Sequence, residues 1–258
     1  MMTKEERFLL DSEKFSIAED RRWGIYYYDT ENNEESDGSM HFYEIVQEDT
    51  YGLENIKSKG LQPKIVFDIG GHIGSFSFKV KQLWPDVKII FVEPNKYTMI
   101  LAKKNLERFD NIVFVDGGIW YKKNKPKFFL KNYWKSAGSC ADGFWLEREF
   151  FGQNRFDTRY LEKDYDVKFF TIESLMKTYK IDYIDLLKLD CEGAEIDFFR
   201  RTILNSDDVN VIVGEWHRGH WTGDQTFPKY NTFKQHSQSS FQSSTGLGDE
   251  QIFLLSRK

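Results

Sequence analysis

Three short apolar runs in this chain each end on an acid, and the first runs directly into a glycine pair. KIVFD (64–68), KIIFVE (88–93) and IDLLKLD (184–190) have the length and composition of buried parallel strands. Helical patterns follow the first two, over Ser75–Trp84, stopped by Pro85, and over Lys96–Arg108. NIVFV (111–115) reads as a further strand. Thr171 is placed to cap a short helix to Lys180, a helix is expected over Ala194–Leu204, and strands over Val209–Glu215 and Gln251–Arg257. Strand and helix alternating on short connections means βαβ units with right-handed crossovers. The expected class is therefore α/β, Rossmann-like, with helices on both faces of a mostly parallel sheet.

The remainder is less regular. Residues 1–60 are polar and aromatic, with an acidic patch at Glu31–Asp37, and read as an N-terminal extension or lid. Residues 61–258 read as the catalytic domain, with an inserted lid-like segment near 117–165 that holds a strand at Lys127–Lys131. A length of 258 residues suits one domain with these additions.

Composition removes several classes of function. Lys and Arg total 36 against 41 Asp and Glu, a net charge of −5, which gives no global pull toward nucleic acid. Aromatic residues make up 17% of the chain, too many for a disordered one. No apolar run is long enough to span a bilayer, and the N-terminus is charged where a signal peptide is apolar. Two cysteines, Cys140 and Cys191, form no CxxC pattern. The expectation is a cytoplasmic protein without membrane insertion.

Asp68-Ile69-Gly70-Gly71-His72-Ile73-Gly74 joins the first strand to the first core helix. Glycines there allow close backbone approach to a ligand, with N–H groups pointing at it. Glu93, at the end of the next strand, is placed to accept hydrogen bonds from both hydroxyls of a ribose. A dinucleotide fingerprint needs GxGxxG, but Ile69 stands where its first glycine belongs. An acid before the glycines would repel a pyrophosphate, yet suits a cationic amino-acid end. This favours S-adenosylmethionine over NAD.

The chain resembles the FkbM family of S-adenosylmethionine-dependent methyltransferases. VFDIGGHIGSFS (66–77), FVEPNKY (91–97), FFTIESLM (169–176), VIVGEWH (211–217) and, most specifically, IDLLKLDCEGAEIDFF (184–199) carry the resemblance. It implies a seven-stranded class I methyltransferase sheet with one antiparallel strand near an edge. It also implies O-methylation, often of sugar hydroxyls, so the expected partner is a small-molecule sugar or glycan precursor. His72 stands where the family commonly has Asn, and the long aromatic segment at 133–165 is a second departure.

The expected cofactor-binding residues are Asp68, Gly70, Gly71, His72, Ile73, Gly74, Glu93, Pro94, Asp116, Gly118 and Asp190. An alcohol must lose its proton as its oxygen takes the methyl, so catalytic candidates are Asp190, His217 and Glu192. Two routes stand open. His217 can act as a general base, or Mg²⁺ or Mn²⁺ can be held by Asp190, Glu215 and His217. Glu192 has a plainer reading as an acid at a helix N-terminus. The aromatics Tyr133, Trp134, Trp145, Phe150 and Trp221 are either an acceptor wall or the lid's own packing. Methyl transfer to nitrogen or to a phosphorus-linked oxygen, and a non-catalytic nucleoside-binding module, are the competing functions.

Overall fold

The computed structural model describes residues 16–29, 42–121, 127–130, 138–141, 167–191, 194–217, 233–242 and 249–257. An N-terminal hairpin, β1 (Ser16–Asp20) and β2 (Ile25–Asp29), is followed by one π-helical turn at Tyr43–Gln47 and by α1 (Leu53–Ser58). Then come β3 (Ile65–Ile69), α2 (Ser75–Leu83), β4 (Lys88–Glu93), α3 (Lys96–Leu106) and β5 (Ile112–Asp116). Short strands β6 (Gly118–Ile119), β7 (Lys127–Leu130), β8 (Gly138–Ala141) and β9 (Phe169–Phe170) lead to α4 (Ile172–Tyr179). β10 (Ile184–Leu189), α5 (Ala194–Arg201), β11 (Val209–His217), β12 (Phe233–Gln242) and β13 (Asp249–Arg257) complete the described elements.

The main sheet runs in the order β12–β13–β11–β10–β3–β4–β5. From β11 to β5 neighbours are parallel, while β13 lies antiparallel to both β11 and β12. Alternation along the strands divides the core into two layers. Phe67, Ile69, Leu187 and Leu189 face α4 and α5, where Ile172, Leu175, Phe198 and Phe199 cover them. Val66, Leu186 and Phe91 face the other way, against α2 and α3. The N-terminal elements share that second layer: Ile25, Phe42, Val46, Tyr51, Leu53 and Ile56 are all buried in it. Phe42 meets Phe78 of α2 edge to face at 5.0 Å, a contact of about 0.5–1.5 kcal/mol beyond its buried area.

Local signals set most element ends. Thr171 caps α4 in a reciprocal box with Ser174, and Asn95 caps α3 by accepting from the Tyr97 N–H. Elsewhere tertiary contacts decide. α5 stops at Arg201, short of Leu204, because Glu173 of α4 accepts from the Thr202 hydroxyl at 2.6 Å and the Ile203 N–H at 3.1 Å. β11 runs on to His217 because β13 pairs with it through His217–Glu250. β12 (FKQHSQSSFQ) has too little apolar alternation to be legible as a strand, and forms by pairing with β13. The acidic patch at 31–37 and most of the segment at 117–165 lie outside the described residues. Among the described residues no helix is long and apolar enough to cross a membrane.

Candidate functional site

The carboxyl ends of β4, β3, β10 and β11 bring the acids to one edge. Register makes this inevitable: Lys188 pairs with Asp68, Leu189 with Gly214, and Glu93 with Asp116. Asp68, Lys188 and Asp190 share one face of the sheet, and Asp190 and Glu215 stand one step beyond the Leu189–Gly214 pair.

Glu93 is 6% exposed. Its Oε2 accepts the His72 N–H and its Oε1 the Asn95 N–H, both at 2.8 Å, so one carboxylate ties the glycine loop to the start of α3. Burial pushes its pKa up to about 7, against the opposing pull of those two N–H groups and of the Lys188 charge. The Thr98 side chain is a further hydrogen-bond partner, and the carboxylate as a whole keeps acceptor capacity for a ligand hydroxyl. His72 has φ of 52°, in the left-handed region. Asn and His are among the few non-glycine residues enriched there, which explains why His is accepted at a position where Asn is the common choice.

The glycines are demanded by the protein itself. Gly70 has φ of 72°, and a Cβ on it would lie 1.7 Å from the Asp190 carbonyl oxygen. On Gly71 a Cβ would enter the Phe91 ring, and on Gly74 it would press on Leu106 of α3. The loop is glycine-rich because β10, β4 and α3 all close on it. The Ile73 side chain is fully buried with Tyr97, Ile100 and Leu101, beneath the hairpin. Asn105 of α3 clasps this corner, donating to Ile73 O and Tyr26 O and accepting from Tyr26 N. Pro94 and Gly118 lie side by side, a Cβ on Gly118 coming within 3.6 Å of the proline ring, and Asp116 is exposed.

At the other end of the crevice the charges are paired. The Lys188 ammonium lies 3.4 Å from both Asp68 Oδ1 and Asp190 Oδ2, and donates to Gly70 O. Asp68 is fully buried, and its Oδ2 accepts from Ser77 Oγ at 2.6 Å. Asp68, expected to meet a ligand's amino-acid end directly or through water, has no exposed surface, and in this structure its partners are Ser77 and Lys188. Burial pushes the Lys188 pKa down, but the Asp190 and Asp68 carboxylates outweigh it and hold it above the ordinary value. Of Asp68, Lys188 and Asp190, only Asp190 reaches solvent, its side chain 23% exposed. Its Oδ2 also accepts the Tyr51 hydroxyl at 2.9 Å. Burial, then the charges of Asp190 and Glu215, push the Tyr51 pKa well above its usual value and keep it a donor.

The sequence reading missed Lys188 and Tyr51. A lysine inside the apolar run IDLLKLD was a signal for a paired buried charge; Tyr51 had none. The expected metal set of Asp190, Glu215 and His217 includes a side chain outside the described residues. Among the described residues no group of three or more His, Cys, Asp and Glu is arranged to hold a metal. At Asp190 Oδ2 a divalent cation would sit against the Lys188 ammonium, which opposes ligation through that oxygen. Glu192, His220, the aromatics at 133–150 and 221, and the side chain of His217 lie outside the described residues.

A mostly parallel sheet with this strand order, helices on both faces, has the architecture of a class I methyltransferase. Residues 68–241, more than half of the chain, match the methyltransferase FkbM domain, and the chain belongs to that family. It is thus an S-adenosylmethionine-dependent methyltransferase. No curated protein matches the sequence. Similar solved structures include the N-methyltransferase NodS from Bradyrhizobium japonicum, at 10% identity and TM-score 0.44 over 82% of this chain and 95% of that one. Precorrin-6y C5,15-methyltransferase from Geobacter metallireducens has 14% identity and TM-score 0.41, over 83% and 90%. TrmK of M. capricolum, in complex with S-adenosylhomocysteine, has 10% identity and TM-score 0.40, over 79% and 67%. Likeness at these levels adds nothing to the site.

Proposed function

We propose that the chain methylates a hydroxyl of a sugar, carried on a nucleotide or in a glycan precursor. Glu93 carries the cofactor half of this reading: a buried carboxylate held by two backbone N–H groups, with capacity left for ribose hydroxyls. S-adenosylmethionine supplies an electrophilic methyl group on a sulfonium. The glycine loop and His72 define its adenosyl side, and Pro94, Asp116 and Gly118 the wall beyond the ribose.

At the acceptor side the hydroxyl oxygen displaces the thioether in line. The C–O bond forms as the C–S bond breaks, and the hydroxyl proton passes to a base. With the Tyr51 hydroxyl and the Lys188 ammonium both directed at Oδ2, Asp190 suits holding a cationic or hydroxyl-bearing group better than taking a proton. His217, at the end of β11, is the base in this reading, and Glu192 a further acid beside Asp190 in the sequence. The family resemblance supports a sugar hydroxyl as the acceptor.

Glu93→Ala is expected to weaken S-adenosylhomocysteine binding by ~1–3 kcal/mol in calorimetric titration, the loss of charge-assisted bonds to a buried ribose. Unchanged affinity removes Glu93 from the cofactor site. Turnover against a panel of nucleotide sugars, with the methylated product identified by mass spectrometry, tests the acceptor. Product only from amine or phosphate-bearing acceptors would favour the competing transfers.

A further inference from the structure

Tyr51 lies outside every motif that marks the site, 139 positions before the residue it bonds. It belongs to the segment ahead of the first core strand, just before α1. Its ring is 5% exposed and packs edge to face on Phe76 of α2 at 5.4 Å, 88° between planes. That packing leaves its hydroxyl directed at Asp190 Oδ2. Phe76 follows the glycine loop directly, so the same contact ties the N-terminal segment to the cofactor-binding turn.

We infer that Tyr51 is a positioning residue for Asp190, and that the N-terminal segment is in this way part of the methyltransferase site. The inference rests on the reading of Asp190 as a cofactor-side residue. Asp190 has the charged Lys188 on the same oxygen at 3.4 Å, and Asp68 across that ammonium. Glu215 lies near enough to act on the Tyr51 hydroxyl, and Cys191 on the Lys188 ammonium. Without the phenol, the Lys188 contact would draw Asp190 toward Asp68 and away from the crevice. A hydrogen bond to a carboxylate is directional where a lysine contact is not, so the phenol fixes the angle that the ion pair leaves loose.

Three probes separate this role from general support of the fold. Tyr51→Phe keeps the ring on Phe76 and removes only the donor. It is expected to lower S-adenosylmethionine affinity about tenfold, while adenosine, which lacks the amino-acid end and the sulfonium, binds as to the wild type. Its thermal midpoint should stay within about 3 °C of the parent. Asp190→Asn should lose a similar factor, and the double variant no more than either single one, because both changes act through one carboxylate. Equal loss for adenosine and S-adenosylmethionine, or losses that multiply in the double variant, would overturn the inference. Should Tyr51→Phe not fold, wild-type affinity in Asp190→Asn does the same. Wild-type protein that binds no S-adenosylmethionine instead overturns the cofactor reading itself, so the two failures are told apart.

Discussion

The two ends of the crevice bury charge in opposite ways. Glu93 and Lys188 are 6% and 2% exposed. Around Glu93 the nearest donors are backbone N–H groups, and burial carries its pKa up to about 7, toward the neutral acid. Around Lys188 two carboxylates stand at 3.4 Å, and the ammonium is held in its charged form despite deeper burial. Burial sets the cost of a charge, and the partners decide whether the group keeps it. The first arrangement leaves an acid whose charge a ligand's hydroxyls can favour. The second is a rigid charged strut that joins the glycine loop to β10.

That contrast breaks most severely at Lys188. Lys188→Met would leave Asp68 fully buried without its cation, at a cost of about 3–5 kcal/mol in urea unfolding. Adding Asp68→Asn to the same variant should recover much of the loss. A Lys188→Met protein as stable as the parent would show the strut to be dispensable.

The next effect is a pH dependence at Glu93. Its folded pKa lies above the unfolded value of 4.5, so the folded state binds the extra proton between pH 4.5 and about 7. The contribution is fully present below pH 4.5 and is lost as pH rises through about 7, a fall of roughly 3 kcal/mol at most. Glu93→Gln should flatten that slope in denaturant unfolding across the same range. Cofactor affinity should run the other way, rising with pH through about 7, because ribose hydroxyls donate to the ionised form. A parent protein whose affinity is flat from pH 6 to 8 would contradict this (the window follows from the shifted value).

A smaller effect is expected at His72. His72→Val forces a β-branched residue to φ of 52° and should cost about 1–2 kcal/mol, whereas His72→Gly should be neutral or slightly stabilising. Equal destabilisation by both would point to the imidazole instead of the backbone. The smallest is a null: millimolar Mg²⁺ or Mn²⁺ should leave the thermal midpoint unchanged, since Lys188 already supplies the positive charge beside Asp190. A cation-dependent rise in the midpoint would restore the metal reading.

Much of the framework was legible along the chain. Apolar runs ending in acids marked β3, β4 and β10, and Thr171 marked the start of α4. These are properties of residues close in sequence, where periodicity, capping and turn geometry act within a few positions. The neighbour that requires the missing Cβ of Gly70 is the Asp190 carbonyl, just past the end of β10, which no pattern around Gly70 could show. Strand register alone placed Lys188 between Asp68 and Asp190, and packing on Phe76 alone brought Tyr51 to the same carboxylate. The sequence by itself determined which elements form and where each acid falls within them. Only the tertiary structure decided which charges are paired, because a side chain's partners across a sheet depend on alignments that neither strand encodes alone.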